Sequence, residues 1–343
     1  MKKLLSIIVV LAAIFSMLYI ANDVSENALY TAIYNQWKEI SGNFDDVNLD
    51  NVEDTLNDIL AQLGSKPASG TTTTKPNKVD APEIPEGSDF QVHYIDVGQA
   101  DCMLIICDDE VMLIDGGNDS DGEDVVAYLQ QQEIEEIDLL VATHCHEDHL
   151  GGLDYVLEAF TVEEVWYPEY RCGSVNETMF LERVASQGIT PVQPDPGTTY
   201  TLGSAICQVV GPISLDHEDP NNMSIVIKVI YGETSFLFTG DAELDEETEI
   251  LDAGYDISCT VLKVGHHGSS GSTKYRWLKS AAPTYAIIPV GAGNSYGHPT
   301  EALLSRLEDA DAITYRTDLQ GHIICISDGK SVSFVFEKGG DSA

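Results

Sequence analysis

A dense group of metal-binding residue types after one apolar run constrains this chain more than any other feature. The apolar residues 139–142 are followed, within the six positions from 144 to 149, by His144, His146, Asp148 and His149. Neutral imidazoles and a carboxylate are ligands that suit Zn²⁺ or Mn²⁺. At an extended strand end, His144 and His146 point the same way, while Asp148 and His149 begin the next turn and can face a second ion. The pattern predicts a metal centre, and the alternative is a chance cluster on a solvated loop.

This His-x-His-x-Asp-His spacing resembles that of the metallo-β-lactamase superfamily, and other strand-like runs extend the resemblance. The run 235–238 leads into Asp241, which the resemblance implies is a bridge between two metals. The run 262–264 leads into His266 and His267, where the last ligand is expected. We prefer His266 as that ligand, which leaves His267 to contact substrate or protonate the leaving group.

The resemblance also implies a complete set of residues around two divalent ions, zinc or manganese. The expected metal ligands are His144, His146, Asp148, His149, Asp241 and His266. Asp115, which follows the apolar run 111–114, is expected to orient the metal loop without binding metal. A third histidine for the first ion is not obvious, because His217 is the only histidine between His149 and Asp241. Its acidic surroundings favour a surface loop residue, so Asn222 or water is the alternative ligand.

Within the superfamily, the chain resembles the hydrolase domain of the competence protein ComEC and its stand-alone relatives. The matching motifs are residues 94–101, 222–227, 262–269, 294–299 and 316–321. Ala100 stands where that group usually has glycine, and the membrane-channel portion of ComEC has no counterpart in this sequence. We therefore expect a hydrolase that is not itself a DNA pore.

The implied activity is metal-dependent hydrolysis, in which a bridging hydroxide attacks phosphorus in a phosphodiester. The residues expected to act in catalysis are Asp148, His267 and His298. The residues expected to hold the substrate are Asn222, Ser224, Lys263 and Ser269. Two other classes of function remain open, because fold and metal site alone do not fix the substrate. One is hydrolysis of another ester (a phosphorylcholine-type ester, lactone or β-lactam), and the other is a non-enzymatic, metal-stabilised part of a DNA-uptake or envelope assembly.

The charge balance limits the partners. The chain has 57 acidic and 17 basic residues, which gives a formal net charge of -40. Such a chain repels polyanions at long range, so a broad nucleic-acid-binding surface is disfavoured. Any DNA would have to be held locally, near the metals.

The N-terminal sequence predicts export. Lys2 and Lys3 precede an uncharged, mostly apolar run at residues 4–21, which predicts a membrane anchor or a signal peptide. The protein is therefore expected on the extracellular face of the cell membrane or secreted. Residues 22–64 predict an acidic helical stalk, and the Thr- and Pro-rich residues 65–88 predict a linker.

Residues 89–338 are predicted to form one α+β hydrolase domain, followed by a tail at 339–343. The implied fold is a four-layer αββα sandwich, preceded by the N-terminal hydrophobic helix and the linker. Strands are predicted at 90–97, 102–107, 111–114, 139–142, 205–210, 224–230, 235–238, 260–264, 285–290 and 331–336, and helices at 124–132, 178–186 and 300–307. Seven cysteines without tight spacing do not suggest a disulfide framework, and several lie in apolar runs where free thiols are expected.

Overall fold

The computed structural model describes residues 89–339, in which fourteen strands form two seven-stranded sheets. The strands are β1 (Phe90–Tyr94), β2 (Met103–Cys107), β3 (Glu110–Ile114), β4 (Glu136–Val141), β5 (Thr161–Trp166), β6 (Thr199–Leu202), β7 (Ala205–Gly211), β8 (Val226–Tyr231), β9 (Thr234–Phe238), β10 (Val261–Lys263), β11 (Tyr285–Ile288), β12 (Ile313–Arg316), β13 (Ile323–Ser327) and β14 (Val332–Phe336). Sheet 1 has the order β14-β13-β1-β2-β3-β4-β5, and sheet 2 has the order β12-β11-β10-β9-β8-β7-β6.

Within residues 89–339, eight α-helices connect the strands. They are α1 (Gly122–Gln131), α2 (Glu147–Leu150), α3 (Leu153–Ala159), α4 (Val175–Ser186), α5 (Leu244–Ala253), α6 (Tyr275–Ala281), α7 (Glu301–Asp309) and α8 (Thr317–Gln320). Two of them begin at hydroxyl caps that satisfy a free backbone N–H group. The Ser174 hydroxyl accepts from the N–H of Glu177 at α4, and the Thr300 hydroxyl accepts from the N–H of Leu303 at α7.

Three hydrophobic cores give the molecule its layers. Neighbouring residues on β3 show the arrangement: Met112 enters the core between the sheets with Phe236, whereas Leu113 enters a core with Leu129 of α1. A third core joins sheet 2 to α5, α6 and α7, and Trp277 lies within it. Adjacent strand residues face opposite sides, so each sheet packs against the other sheet and against helices. The predicted sandwich of two sheets with outer helices is confirmed.

The strand directions gather several chain segments at one edge of each sheet. In sheet 1, β3, β4 and β5 run parallel, and in sheet 2 the strands β9 to β12 run parallel. Asp115 follows β3, His144 follows β4, Asp241 follows β9 and His266 follows β10. The carboxyl ends of parallel strands are where open sheets bind ligands.

The ten runs predicted as strands each overlap a strand, and the three predicted helices are present with shifted ends. The predicted N-terminal helix, stalk and linker lie outside residues 89–339. Within the described range, no helix is long and apolar enough to cross a membrane.

The expectation for the cysteines holds for five and is wrong for two. Cys102, Cys107, Cys207, Cys259 and Cys325 are free and buried. Cys145 and Cys172 form a disulfide, with their Cα atoms 6.0 Å apart. This bond ties the turn that carries His144 and His146 to the segment before α4.

Candidate metal centre

The turn after β4 holds its three histidines close together, and two of them, His144 and His149, are buried. His144 is almost fully buried, and its Nε2 lies 3.0 Å from Nδ1 of His146. The rings of His144 and His149 lie 4.1 Å apart between centroids. The chain can fold this tightly because Gly152 packs against the backbone of Gly116, where a Cβ atom would overlap the Gly116 carbonyl.

Asp115 fixes this turn from below. Its Oδ1 accepts a hydrogen bond from the N–H of Thr143 at 2.8 Å, and its Oδ2 accepts from the Thr143 hydroxyl at 2.8 Å. His149 Nδ1 also donates to Asp115 Oδ2, at 2.8 Å. His149 Nε2 therefore faces away from Asp115 and lies 3.3 Å from Oδ2 of Asp241. Asp115 thus contacts the metal loop directly, and its predicted orienting role stays a prediction.

Sheet 2 supplies Asp241 and two histidines from the other side. The Asp241 backbone N–H donates to the Ser224 hydroxyl at 3.1 Å, which fixes the turn after β9. His267 Nε2 lies 3.2 Å from Oδ2 of Asp148 and 3.5 Å from Oδ2 of Asp241. His266 Nε2 lies 3.7 Å from the same Asp241 oxygen. Ligand types from both sheets thus meet around Asp241.

Four of these side chains have the geometry of a metal site. One ligand atom each from Asp148, His149, Asp241 and His267 lies within 4.8 Å of the others. Among the described residues, His149 Nε2, His267 Nε2 and Asp241 Oδ1 are buried and make no hydrogen bond. Buried polar atoms that converge without partners need a cation to offset the cost of their desolvation. The residues present therefore fit the divalent ions that the fold implies.

The structure favours His267 over His266 as a member of this group. His267 is buried, and its Nδ1 donates to the Pro289 carbonyl at 3.2 Å, which leaves Nε2 for the centre. His266 is partly exposed, and its Nδ1 donates to Glu243 at 2.8 Å. Its Nε2 still faces Asp241, so the predicted ligand role of His266 stays a prediction. The two histidines take left-handed backbone angles, both with φ of 48°, which turns both rings toward the same side.

A buried ion pair that the sequence did not reveal lies beneath His267. Lys263 is fully buried and forms an ion pair with Asp101, and its Nζ donates to the Gly240 carbonyl at 2.7 Å. The same Nζ lies 3.7 Å from Oδ1 of Asp241, and Asp101 Oδ1 lies 3.3 Å from Nδ1 of His267. Asp101 therefore links the loop between β1 and β2 to the ligands of sheet 2.

The charges of the centre are strongly coupled. Burial alone would lower the pKa of His267, but the carboxylates of Asp241 and Asp101 outweigh it and raise this pKa to about 10. Burial would also lower the pKa of His149, and the carboxylate of Asp241 again reverses the effect and raises it. His144 differs, because burial and the neighbouring His149 both lower its pKa well below the usual value. The carboxylates around the centre thus favour positive charge there.

A cavity of about 340 Å³ opens over these residues. Its lining consists of Gln99, His146, Glu147, Asp148, Asn221, Asp241, His266, His267, Tyr296 and His298. The catalytic candidates Asp148, His267 and His298 are all in this lining. None of the four predicted substrate-binding residues is in it.

Those four side chains have structural partners instead. Asn222 Oδ1 accepts from two backbone N–H groups, of Glu243 and Glu246, at the start of α5. The Ser224 hydroxyl holds the Asp241 turn, and Lys263 is buried beneath it. The Ser269 hydroxyl donates to Glu243 at 3.4 Å. In this structure, these residues support the walls of the site rather than its surface.

His217 does not join the centre. Its Nε2 lies 3.3 Å from Oε2 of Glu249 on α5, and the residue is not part of the cavity lining. The simpler interpretation, a histidine on an acidic surface loop, agrees with this position.

The sequence did not predict two side chains that contact histidines of the centre, Asp101 and Glu243. Asp101 lies in the motif at residues 94–101, where a buried aspartate just before an apolar strand was the available signal. Glu243, which orients His266, lies in an acidic run at 241–247. Nothing in that run distinguishes Glu243 from its neighbours.

Comparison with known proteins decides the family. The family model described as "Metallo-beta-lactamase superfamily" matches residues 95–292, which is more than half of the chain. The chain belongs to the metallo-β-lactamase superfamily. That membership implies divalent metal ions and a metal-dependent hydrolase fold, and the group of Asp148, His149, Asp241 and His267 offers candidate ligands.

Its relatives include a protein named for competence. The chain is 30% identical to ComE operon protein 3 of Bacillus subtilis, over 69% of this chain and 33% of that protein. It is 26% identical to competence protein ComA of Neisseria gonorrhoeae, over 70% of this chain and 33% of that protein. The chain thus spans about one third of the length of these relatives. The predicted resemblance to ComEC-like proteins is confirmed.

A solved structure with a similar arrangement is that of the metallo-β-lactamase fold protein YhfI from Bacillus subtilis. It has a TM-score of 0.49 and 11% identity, and the match covers 70% of this chain and all of that one.

Proposed function

We propose that this superfamily hydrolase is an exported phosphodiesterase or nuclease that acts with two divalent ions, zinc or manganese. The observation that carries the proposal is the convergent group of Asp148, His149, Asp241 and His267, of which all but His149 line an open cavity. Its similarity to relatives named for competence and recombination supports a phosphodiester substrate.

The ligand chemistry suits either metal, because imidazole and carboxylate together accept both zinc and manganese. When bound, such ions polarise a phosphoryl oxygen and supply an activated water. Asp148, His149, Asp241 and His267 would hold one ion, and His144 and His146 would supply ligands to the other. Asp115, Asp101 and Glu243 keep the ring nitrogens of their histidines in one orientation.

His298 is the residue best placed to act on the leaving group. Burial, together with the neighbouring His266, lowers the pKa of His298, so its imidazole is neutral at pH 7 and carries one N–H donor. His298 Nδ1 makes no hydrogen bond within the described part of the chain. His267 was the other candidate, but its two ring nitrogens both face carboxylates. A neutral His298 can donate a hydrogen bond to the departing oxygen.

Export is proposed from two observations. Lys2 and Lys3 precede the apolar residues 4–21, which would hold the chain in the membrane or direct its secretion. The disulfide between Cys145 and Cys172 adds support, since disulfides persist in oxidising compartments outside the cytoplasm. DNA would be held locally at the metals, because the net charge of -40 opposes a broad contact surface.

The test is cleavage of bis(p-nitrophenyl) phosphate by the purified protein with Mn²⁺, Zn²⁺ or a chelator. We expect metal-dependent cleavage that falls by more than about 100-fold in Asp148→Ala, because a direct ligand is lost. Asp252→Ala is the matched control, since that exposed aspartate pairs with Arg276 away from the cavity. Absence of cleavage by folded protein that holds two ions would reject the phosphodiesterase. Lactones, phosphorylcholine esters and nitrocefin would then be tested in the same way.

A further inference from the structure

The loop between β11 and α7 presents an aromatic ring at the mouth of the cavity. Tyr296 lines the cavity although its residue surface is 72% exposed. Tyr275 is the other strongly exposed aromatic residue in the described chain, and its hydroxyl donates to Asp309 on α7. Tyr296 therefore stands out as an aromatic side chain that is left to solvent beside a catalytic centre.

The Tyr296 ring continues a series of rings that begins at the metal centre. Ring centroids lie 6.1 Å apart between His267 and His266, 5.7 Å apart between His266 and His298, and 5.8 Å apart between His298 and Tyr296. The planes of Tyr296 and His298 are inclined by only 27°, so the two rings are stacked. One face of the tyrosine is supported, and its large exposed area lies on the side of solvent.

The position of Tyr296 is built into the loop. Asn294 Oδ1 accepts from the backbone N–H groups of Tyr296 and His298, each at 3.1 Å. Asn294 Nδ2 donates to the carbonyls of His298 at 2.6 Å and Gly291 at 3.0 Å. The backbone is thus fixed while the ring stays exposed, as expected of a preorganised binding surface.

The rest of the lining offers little to a phosphate group. Within the described part of the chain, no lysine or arginine lines the cavity, whereas Glu147 and Asp148 do. Outside the metal centre, two polar atoms of the lining are buried and lack a hydrogen bond, namely Asn221 Oδ1 and His298 Nδ1. Hydrogen-bonding groups without a partner and an open aromatic face suit a planar heteroaromatic ligand.

We propose that Tyr296 and His298 form a subsite for a nucleobase, so that the substrate is a nucleotide unit whose base stacks on Tyr296. This inference rests on the proposed phosphodiesterase function and names its substrate class. The base belongs to a free nucleotide ester or to the end of a single strand, since both present the same ring. Stacking then supplies the affinity that basic residues supply in other nucleic-acid sites.

Binding without turnover tests the subsite independently of catalysis. Isothermal titration of the Mn²⁺-loaded full chain would compare deoxyadenosine 5′-monophosphate with deoxyribose 5-phosphate, which lacks the base. In Tyr296→Ala we expect the Kd of the nucleotide to rise about tenfold and that of the sugar phosphate to stay unchanged. Tyr296→Phe should bind as the wild type does, and Tyr275→Ala is the control for loss of an exposed tyrosine.

Either of two results would overturn the subsite. One is equal binding of both ligands by the wild type, and the other is an equal effect of Tyr296→Ala on both. A short oligodeoxythymidylate distinguishes the sources: tighter binding than thymidine 5′-monophosphate supports a strand end, and weaker binding supports a free nucleotide. Failure to cleave bis(p-nitrophenyl) phosphate would reject the proposed function, yet it would leave these binding results readable.

Discussion

The two halves of the metal centre are built in different ways. The sheet 1 half comes from one short segment, in which His144, His146, Asp148 and His149 lie within six positions and the turn is closed by a disulfide. The sheet 2 half comes from separate strand ends. There, Asp241 and His267 are held by contacts from distant parts of the chain.

The difference lies in how each half balances its charge. The sheet 1 turn relies on Asp115, whose carboxylate satisfies a backbone N–H, a hydroxyl and a ring nitrogen of that same turn. The sheet 2 half depends on Lys263, a fully buried cation between Asp101 and Asp241. A contiguous half can form locally, whereas the dispersed half needs a buried counter-ion to bring its carboxylates together.

The largest expected effect follows from removing that counter-ion. Lys263→Met leaves Asp101 and Asp241 buried without their cation, so the free energy of unfolding in chelator should fall by about 3–5 kcal/mol. Added Mn²⁺ should recover part of this loss, because the ion takes over the charge balance. Urea unfolding with and without metal measures both quantities.

Lys228→Met is the matched control for this comparison. Lys228 is also a buried strand lysine, but its partner Asp256 is 74% exposed at the side chain. Its loss should cost no more than about 1 kcal/mol, since the remaining carboxylate is solvated. Equal losses in the two variants would show that the sheet 2 half does not depend on its buried ion pair.

How much of the fold the sequence predicts depends on whether a strand carries a continuous apolar run. Most strands that lie inside the sheets carry apolar runs that predict them. Four strands are missing from the prediction: the edge strands β5, β6 and β12, and β13, which lies inside sheet 1 with the buried sequence IICIS. Edge strands are half exposed and carry polar residues, as in the sequence TVEEVW of β5, so they lack the apolar run on which the prediction depends.

The residues of the candidate site also differ in how far the sequence predicts them. The sheet 1 ligands could be predicted because they are contiguous, and Asp241 because it follows an apolar strand. The support of sheet 2 could not, since the partner of Lys263 is Asp101, 162 positions away by the difference of their numbers. The choice between His266 and His267 depends on backbone angles at Gly265–Gly268 that adjacent histidines do not encode. Long-range pairing and local backbone strain are properties of the folded chain.

The second prediction concerns the covalent link in the sheet 1 half. Replacing both Cys145 and Cys172 with alanine should lower the free energy of unfolding by about 3 kcal/mol, because the 27-residue separation is no longer closed in the unfolded chain. Denaturant unfolding with and without a reductant measures it. The wild type should lose stability in the reductant, whereas the double variant should not respond. A wild type that is equally stable in both conditions would mean that the turn holds without its disulfide.

The smallest expected effects are those of replacing Asp115 and Asp101, the two carboxylates that contact the Nδ1 atoms of metal-centre histidines. Asp115→Asn and Asp101→Asn keep the shape of each side chain but weaken its hold on the Nδ1 of His149 and His267, respectively. Each should reduce metal affinity about 10–100-fold, as measured by competition with a chelator. Asp138→Asn is the control, because that β4 carboxylate accepts from the backbone N–H of Val111 away from the centre.

The losses of metal affinity and of stability in these two variants together show whether the two halves of the metal centre depend on buried ion pairs to different degrees. Asp101 also pairs with Lys263, so Asp101→Asn should weaken metal binding and destabilise the protein in chelator. The Asp115 carboxylate contacts Thr143 and His149 of the turn after β4 and forms no ion pair with a lysine of the described chain. Asp115→Asn should therefore act mainly on metal affinity. If Asp115→Asn destabilised the chelated protein as much as Asp101→Asn, the sheet 1 turn would depend on buried charge as strongly as sheet 2 does. In that case, the stability of the sheet 1 turn would depend on its ion pairs although its ligands are contiguous in sequence.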